Sequence, residues 1–350
     1  MAFGMFAVWS MDLRHAGARL ARQPAAVLTG SMKIAVAGAG AMGCRFGGIL
    51  AEAGHDVLLL DGWREHVDTI NASGLRITDE RGSRVVRVPA KPFPASADDR
   101  SDLVIVFGKA TQTAEVASAV WTAFGADTLV LTLQSGLGNL EVLGEYVPES
   151  RLLAGTTTLG TELLGPGCIR ALGSGETVFG ALGPGQQRAV AKVRMALAEA
   201  GIAVRACSDP RATIWAKVAF NCVMNSLCAL GSIPVSALAL YDGFDSLAGS
   251  ILEEVVAVAA AEGVTVDADS VLALMKSQFS PSASGDHLAS TLQDLMNGRP
   301  TEIAHLNGAI VSRALAHGLA APVNATITQL IQLLEATWPH RATHPSGNTR

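Results

Sequence analysis

A glycine-rich turn between two apolar segments near the start of the chain constrains its fold most strongly. The apolar segment 34–37 is followed by Gly38-Ala-Gly40-Ala-Met-Gly43 and then by an apolar stretch with helical spacing. In such a pattern the first glycine permits a tight turn, the second lets the backbone approach a pyrophosphate, and the third lets helix and strand pack closely. The sequence therefore predicts a β-α-β unit whose turn binds a dinucleotide through Gly38, Gly40, Ala41, Met42 and Gly43.

Asp61 ends the second apolar segment of this unit. A carboxylate at that place accepts hydrogen bonds from a ribose diol and repels a 2′-phosphate, so it favours NADH over NADPH. Arg64 is close in sequence and would weaken that preference. The alternative interpretation is that Asp61 only caps the following helix.

The rest of the chain alternates at first and is helical at the end. Further strands are predicted at 85–88, 103–107 and 128–133, with a helix at 113–124, and this alternation favours a parallel sheet with helices on both faces. Glycine-broken segments over 151–181 predict antiparallel strands, and a helix is predicted at 187–200. After Asp209 the predicted elements are all helices: 210–230, 245–262, 267–277, 285–297, 302–318 and 322–337.

These patterns predict an α/β protein with an N-terminal Rossmann-type domain over 32–208 and a C-terminal all-helical domain over 209–338. Residues 339–350 form a polar tail. Residues 1–31 are an extension rich in arginine, and they are either a targeting peptide or an overextended start that precedes Met32.

Composition narrows the range of partners. The net charge of −5 argues against nucleic acid, and a hydrophobic fraction of 49% argues against disorder. The uncharged run 218–241 has the length of a membrane span, but its two asparagines and a proline favour a buried helix followed by a break, so no membrane partner is expected.

The five cysteines include no C-x-x-C pair, so neither a disulfide framework nor a metal site is expected. Free thiols of this kind are compatible with a location in the reducing cytoplasm.

Lys217, Asn221 and Asn225 recur at intervals of four in an otherwise apolar helical stretch. This spacing places them on one side of a helix, where a bound substrate would satisfy them. A lysine there could donate a proton to the oxygen of a ketone that receives a hydride, and burial would lower its pKa toward the working pH. The alternative is a surface lysine beside two amides with structural roles.

Ser290 and Glu302 are the polar candidates further along the chain. Glu302 follows Pro300-Thr301, where a helix can start, so it is either a carboxylate at a helix N-terminus or one that accepts a substrate hydroxyl or orients the lysine. Ser290 is either a substrate contact or an ordinary surface serine. His287, His305 and His317 show no ligand spacing and are expected to be structural.

From Met32 to about Leu334 the chain resembles the ketopantoate reductases, also called 2-dehydropantoate 2-reductases. The resemblance is carried by the glycine turn, by Lys109 after a strand, by the lysine-asparagine helix and by Pro300-Thr-Glu302-Ile with Leu306-Asn307-Gly308. It implies reduction of 2-dehydropantoate to (R)-pantoate in pantothenate biosynthesis, in the cytoplasm, with a small 2-keto acid as partner; a homodimer is compatible with it. It also implies site roles: Lys217 as general acid, Glu302 as essential carboxylate, Asn221, Asn225 and Ser290 as substrate contacts, and Lys109 as a coenzyme contact.

Two positions depart from the family pattern. Ser135 stands where the family usually has an asparagine that helps bind the nicotinamide end of the coenzyme and the substrate. Gly62 follows Asp61 where well-studied NADPH users of the family have an arginine. The coenzyme is therefore NADP or NAD, with Asp61-Gly62 favouring NAD. A related 2-keto acid reductase or hydroxyacid dehydrogenase with another small substrate remains the alternative function.

Overall fold

The structure is a computed structural model that describes residues 30–280 and 288–340. Most of the predicted N-terminal extension and the last ten residues of the tail lie outside the described residues. Contacts divide the chain into two compact units. Unit 1 comprises residues up to Gln134 together with Asn139–Thr213, and unit 2 comprises Ser135–Gly138 together with Ile214 and the residues that follow.

Unit 1 is a mixed α/β unit. Its strands are β1 (Lys33–Ala37), β2 (Asp56–Asp61), β3 (Leu75–Asp79), β4 (Gly82–Val86), β5 (Ala90–Pro92), β6 (Ser101–Val106), β7 (Phe124–Thr132), β8 (Leu152–Thr157), β9 (Gly160–Gly165), β10 (Cys168–Leu172), β11 (Thr177–Ala181) and β12 (Val204–Ala206). Its helices are α1 (Ala41–Glu52), α2 (Arg64–Ser73), α3 (Thr113–Val120), α4 (Asn139–Gly144) and α5 (Gln187–Glu199).

An eight-stranded sheet with the order β12-β11-β8-β7-β6-β1-β2-β5 forms the centre of unit 1. Its pairs are parallel except for β8 with β11. Because side chains alternate along a strand, Ile34 and Val36 of β1 lie in one buried cluster while Ala35 and Ala37 lie in another. The predicted α/β fold with a mostly parallel, Rossmann-type sheet is confirmed.

A second, four-stranded sheet with the order β4-β3-β10-β9 was not predicted. The predicted parallel strand at 85–88 is wrong: the hairpin of β3 and β4 occupies residues 75–86, and only the short β5 joins the central sheet. The hairpin of β9 and β10 falls within the predicted antiparallel region, and β10 pairs in parallel with β3.

Unit 2 is helical in its described part. Its helices are α6 (Pro210–Gly231), whose first four residues group with unit 1, α7 (Phe244–Ala261), α8 (Ala268–Ser277), α9 (Ser290–Met296), α10 (Asn307–Ala316) and α11 (Pro322–Thr337). Its 3₁₀ turns are at Val235–Leu240, Ile303–His305 and Trp338–His340. The predicted single helix over 302–318 is a 3₁₀ turn followed by α10, because the backbone at Leu306 (φ −108°, ψ −108°) leaves the helical region.

Helix α6 is long and apolar enough to cross a membrane by length and composition alone. Its most apolar window is nevertheless 67% buried within the protein, as in the core helix of a folded domain. The predicted break after it is present, since a 3₁₀ turn follows Pro234.

Candidate active site

The first glycine of the turn is required by its conformation and its surroundings. Gly38 has a φ of +89°, and a Cβ atom there would lie 2.6 Å from the backbone nitrogen of Gly108. The amides of Gly38 and Ala39 both donate to the carbonyl oxygen of Leu60, at 2.9 and 3.2 Å. The turn between β1 and α1 is therefore held against the end of β2, with no room for a side chain at its first position.

The other two glycines of the turn differ in the space available for a side chain. A Cβ on Gly43 would lie 2.1 Å from the carbonyl oxygen of Gly38, so this glycine is needed for packing. A Cβ on Gly40 would meet nothing within 4 Å, so the space beside it is open. Gly40 is the N-cap of α1, and Ala41, Met42 and Gly43 form the first turn of that helix. An open face beside a helix N-terminus fits the pyrophosphate of a dinucleotide.

Asp61 lies at the carboxyl end of β2, as the sequence predicted. Its Oδ1 accepts a hydrogen bond from the amide of Trp63 at 2.8 Å. The N-cap of α2 is Trp63, so Asp61 shapes the turn before the helix and does not cap it. The contact fixes the orientation of the carboxylate at the strand end where a dinucleotide's ribose is read.

A buried polar pair supports this region and was missed by sequence reasoning. The Nδ1 of His66 accepts from the amide of Gly167 at 3.0 Å, so Nε2 carries the ring proton, and it lies 3.3 Å from Cys44 Sγ. The thiol of Cys44 donates to the carbonyl oxygen of Ala39 at 2.9 Å. Burial lowers the pKa of His66 and raises that of Cys44, so both groups are neutral. The pair thus contacts the glycine turn at the carbonyl oxygen of Ala39 without adding a charge there.

Lys109 lies in the loop after β6 and is the N-cap of a short 3₁₀ turn, Ala110–Gln112. The same loop approaches the glycine turn, because Gly108 limits the space at Gly38. The side-chain amide of Gln134 donates to the carbonyl oxygen of Gly108 at 2.6 Å, which ties this loop to the end of β7. The structure therefore brings Lys109 to the same edge of the sheet as the glycine turn.

Helix α6 of unit 2 carries Lys217, Asn221 and Asn225. The two asparagines are 8% and 9% exposed, and the lysine side chain is partly buried. Burial lowers the pKa of the Lys217 ammonium from its ordinary 10.5 to about 8, and the nearby charge of Glu302 opposes part of the change. A lysine in this state is protonated at neutral pH yet gives up its proton readily.

Ser290 and Asn225 are joined directly. The amide nitrogen Nδ2 of Asn225 donates to Oγ of Ser290 at 3.0 Å. Ser290 is the first residue of α9 and is an exposed residue. The structure thus brings together two of the three predicted substrate contacts.

Glu302 is the N-cap of the 3₁₀ turn Ile303–His305 and not part of a helical first turn, which corrects the predicted local structure. Two contacts fix the segment before it. The amide of Thr301 donates to Oε1 of Glu335 in α11 at 2.6 Å, and the hydroxyl of Thr301 accepts from the amide of Ile303 at 3.2 Å. These contacts hold the backbone on both sides of Glu302, which lies before the start of α10.

A fully buried amide network lies beneath α6. The side chain of Asn307 donates to the carbonyl oxygen of Cys222 at 3.1 Å and to Oδ1 of Asn324 at 2.9 Å, and it accepts from the hydroxyl of Ser226 at 2.7 Å. Asn324 donates in turn to Glu254 of α7 at 2.7 Å. Since Cys222 and Ser226 each follow a site asparagine, the network fixes the rotation of α6 about its axis.

Ser135 belongs to the four-residue loop Ser135–Gly138, which groups with unit 2. Its side chain is partly exposed. Unit 2 therefore contains Lys217, Asn221, Asn225, Ser290, Glu302 and Ser135, while unit 1 contains the glycine turn, Asp61 and Lys109.

Two protein-family profiles match this chain. The profile described as ketopantoate reductase PanE/ApbA matches residues 34–184, and the profile described as ketopantoate reductase PanE/ApbA C terminal matches residues 209–335. The chain belongs to the ketopantoate reductase family. The resemblance stated from the motifs is confirmed, and the protein is an NAD(P)-dependent oxidoreductase.

Curated relatives share the whole length of the family fold. The 2-dehydropantoate 2-reductase of Halobacterium salinarum is 35% identical over 304 residues, which cover 87% of this chain and 99% of that protein. The 2-dehydropantoate 2-reductase of Streptococcus pyogenes is 33% identical over 306 residues, which cover 87% of this chain and 98% of that protein.

Solved structures of ketopantoate reductases and of a dehydrogenase resemble the chain equally well in sequence. A ternary complex of D-mandelate dehydrogenase with NADH and anilino(oxo)acetate is 34% identical with a TM-score of 0.85, over 88% of this chain and 99% of that one. A ketopantoate reductase from Ralstonia eutropha is 35% identical with a TM-score of 0.79, over 88% of this chain and 100% of that one.

Proposed function

We propose that this ketopantoate reductase family member reduces 2-dehydropantoate to (R)-pantoate, a step of pantothenate biosynthesis, with a nicotinamide dinucleotide as reductant. The observation that carries the proposal is that unit 2 holds together the hydrogen-bonded pair Asn225 and Ser290 and the partly buried Lys217, whose pKa is lowered by burial and raised in part by the charge of Glu302. A partly desolvated lysine beside a carboxylate is what the proton transfer of ketone reduction requires.

We assign each site residue a separate role in the reduction. A dinucleotide held by unit 1 would supply the hydride. Lys217 holds a proton for the carbonyl oxygen of the substrate, stabilises the negative charge that develops there and donates the proton to form the alcohol. Glu302 keeps that ammonium charged and accepts a hydrogen bond from a substrate hydroxyl. Asn221, Asn225 and Ser290 supply the amides and the hydroxyl that bind the substrate carboxylate and its hydroxyl group.

Unit 1 supplies the dinucleotide site. The first turn of α1, with the open space beside Gly40, would hold the pyrophosphate, and Lys109 would contact the phosphate or ribose groups. Asp61, fixed by Trp63, favours a ribose that lacks a 2′-phosphate, so NADH is the proposed coenzyme although NADPH is the usual one in the family.

The test is oxidation of NADH and of NADPH, in parallel, with 2-dehydropantoate as substrate. Turnover supports the proposal, and the ratio of the two kcat/KM values measures what Asp61 does. Lys217→Ala is expected to lower kcat by about 10²–10⁴-fold, the usual worth of a general acid. An unchanged kcat in this variant would remove Lys217 from the mechanism.

A second candidate is reduction of a different small 2-keto acid. Its support is the similarity to D-mandelate dehydrogenase bound to NADH, together with Ser135 in place of the asparagine that the family usually has. Phenylglyoxylate, the keto acid that corresponds to mandelate, is the substrate to assay beside 2-dehydropantoate. A higher kcat/KM for phenylglyoxylate would make the protein a 2-hydroxyacid dehydrogenase within the same family.

The proposed partner is therefore a small keto acid, and neither nucleic acid nor a membrane is part of the proposal. A homodimer and a cytoplasmic location are proposed by analogy with a biosynthetic reductase. Light scattering of the purified protein and fractionation of cells test these two points.

A further inference from the structure

Two hydrogen bonds join the loop Ser135–Gly138 to the 3₁₀ turn that follows Glu302. The amide of Leu137 donates to the carbonyl oxygen of His305 at 2.9 Å. The imidazole Nδ1 of His305 lies 3.1 Å from the carbonyl oxygen of Leu137. Because a carbonyl oxygen only accepts, Nδ1 must carry a proton, and the ring is therefore a donor to the loop.

The glycines of the loop permit this close approach. Gly136 has a φ of +86°, and a Cβ there would lie 2.9 Å from both Cβ and the carbonyl oxygen of His305. Gly138 has a φ of +100°, and its Cβ would lie 3.7 Å from Nδ1 of His305. The loop is thus shaped to lie against one residue, His305, along its main chain and its side chain.

His305 is also fixed to Glu302. The carbonyl oxygen of Glu302 accepts from the amides of His305 and Leu306, at 2.9 and 3.1 Å. The turn that begins at the backbone of Glu302 therefore ends at His305, whose imidazole contacts the loop. A single rigid path of hydrogen bonds runs from Glu302 through His305 to Leu137, two residues from Ser135.

We propose that His305 is a positioning residue that fixes the Ser135 loop relative to Glu302 through its Nδ1–H donor. The proposal rests on the proposed function, which gives Ser135 and Glu302 their places around the substrate. His305 does not itself act on the reacting atoms. Its effect is to keep the loop from opening, so it lowers the KM for the keto acid more than it raises kcat.

The test compares His305→Ala, His305→Asn and His305→Gln. The asparagine amide nitrogen is attached to Cγ, as Nδ1 is, so Asn keeps a donor at the same place, whereas the glutamine amide corresponds to Nε2. His317→Ala is the matched control, because His317 is a histidine of unit 2 whose Nε2 lies 3.7 Å from Oε1 of Glu262.

Steady-state kinetics give the first measurement. We expect His305→Ala and His305→Gln to lower kcat/KM for the keto acid about 3- to 10-fold, mainly through KM, as the loss of one hydrogen bond predicts. His305→Asn should stay within about twofold of the wild type, and His317→Ala should be unchanged. Equal losses in His305→Asn and His305→Ala, or the same loss in His317→Ala, would overturn the proposal.

Hydrogen exchange of the Leu137 amide gives a second measurement that needs no turnover. Exchange should be faster in His305→Ala than in the wild type and should return to the wild-type rate in His305→Asn. An unchanged exchange rate in His305→Ala would refute the positioning role. A wild-type protein that reduces no keto acid would instead refute the proposed function, and the exchange result would still decide the role of His305.

Discussion

The lowered pKa of Lys217 makes a quantitative prediction about pH. If Lys217 is the general acid, reduction requires its protonated form, and activity is lost as pH rises through the pKa. With a pKa of about 8, about nine-tenths of the enzyme is active at pH 7 and about one-tenth at pH 9. We therefore expect kcat/KM for reduction to fall about tenfold between these pH values. A lysine at its ordinary value of 10.5 would leave the rate almost constant over the same range.

The assay is initial-rate oxidation of the preferred dinucleotide from pH 6 to 10, with the keto acid well below its KM. In the reverse direction, oxidation of the hydroxy acid should rise with pH through the same pKa, because the neutral amine is then the required base. Lys217→Ala should show a low rate without this transition. A wild-type kcat/KM that stays flat to pH 9.5, or a decline that persists in Lys217→Ala, would show that the ammonium of Lys217 is not the group that titrates.

Glu302→Gln adds a directional control. The negative charge of Glu302 raises the pKa of Lys217 against the effect of burial. Its removal should therefore lower the pKa further, so that the decline in rate begins at a lower pH, besides any loss of activity. A decline that moves to higher pH would mean that Glu302 does not act on the ammonium as the structure indicates.

Three further predictions concern binding and stability. Gly40→Ala should fold normally and bind the dinucleotide more weakly, because its methyl group enters the open space proposed for the pyrophosphate. Gly43→Ala should lower the melting temperature, because its methyl group would lie 2.1 Å from the carbonyl oxygen of Gly38. Thermal unfolding measures the loss of stability, and dinucleotide titration measures the loss of affinity. The double variant Asp61→Ala with Gly62→Arg should shift the ratio of kcat/KM values toward NADPH. An arginine fits at position 62, because its Cβ would have only an ordinary van der Waals contact of 3.6 Å. An unchanged ratio would show that Asp61 does not contact the ribose. Asn307→Ala should lower the free energy of unfolding by about 2–3 kcal/mol, measured in urea, because it leaves buried partners unsatisfied.

The sequence predicted the parts of the fold that depend on local periodicity. The unit of β1, α1 and β2 follows from two apolar segments around three glycines, and α6 follows from a long apolar stretch with polar residues every fourth position. The small second sheet was missed as a sheet because its strands are short and half exposed, and because its two hairpins are joined only by the pairing of β3 with β10, which lies far along the chain. A local signal existed for its first hairpin, since the run Asp79-Glu-Arg-Gly82 is a turn between two alternating segments.

The candidate site shows the same division between local pattern and tertiary contact. Spacing alone placed Lys217, Asn221 and Asn225 together on α6. The position of Glu302 outside any helix could not be predicted, because it depends on the contact of Thr301 with Glu335, more than thirty residues away. The histidine at 305 was expected to be structural, and its bond to the Ser135 loop was invisible in sequence because nothing local relates the two segments.

The contact between Thr301 and Glu335 also bears on how the chain can be shortened or fused. The family profile for the C-terminal region ends at residue 335, and that residue accepts the hydrogen bond that holds the segment before Glu302. A truncation after Thr337 keeps this acceptor, whereas one that removes Glu335 frees the backbone next to a proposed active-site carboxylate. A tag joined rigidly to the end of α11 could displace Glu335 from the Thr301 amide, so a flexible linker is the safer junction for assays of this enzyme.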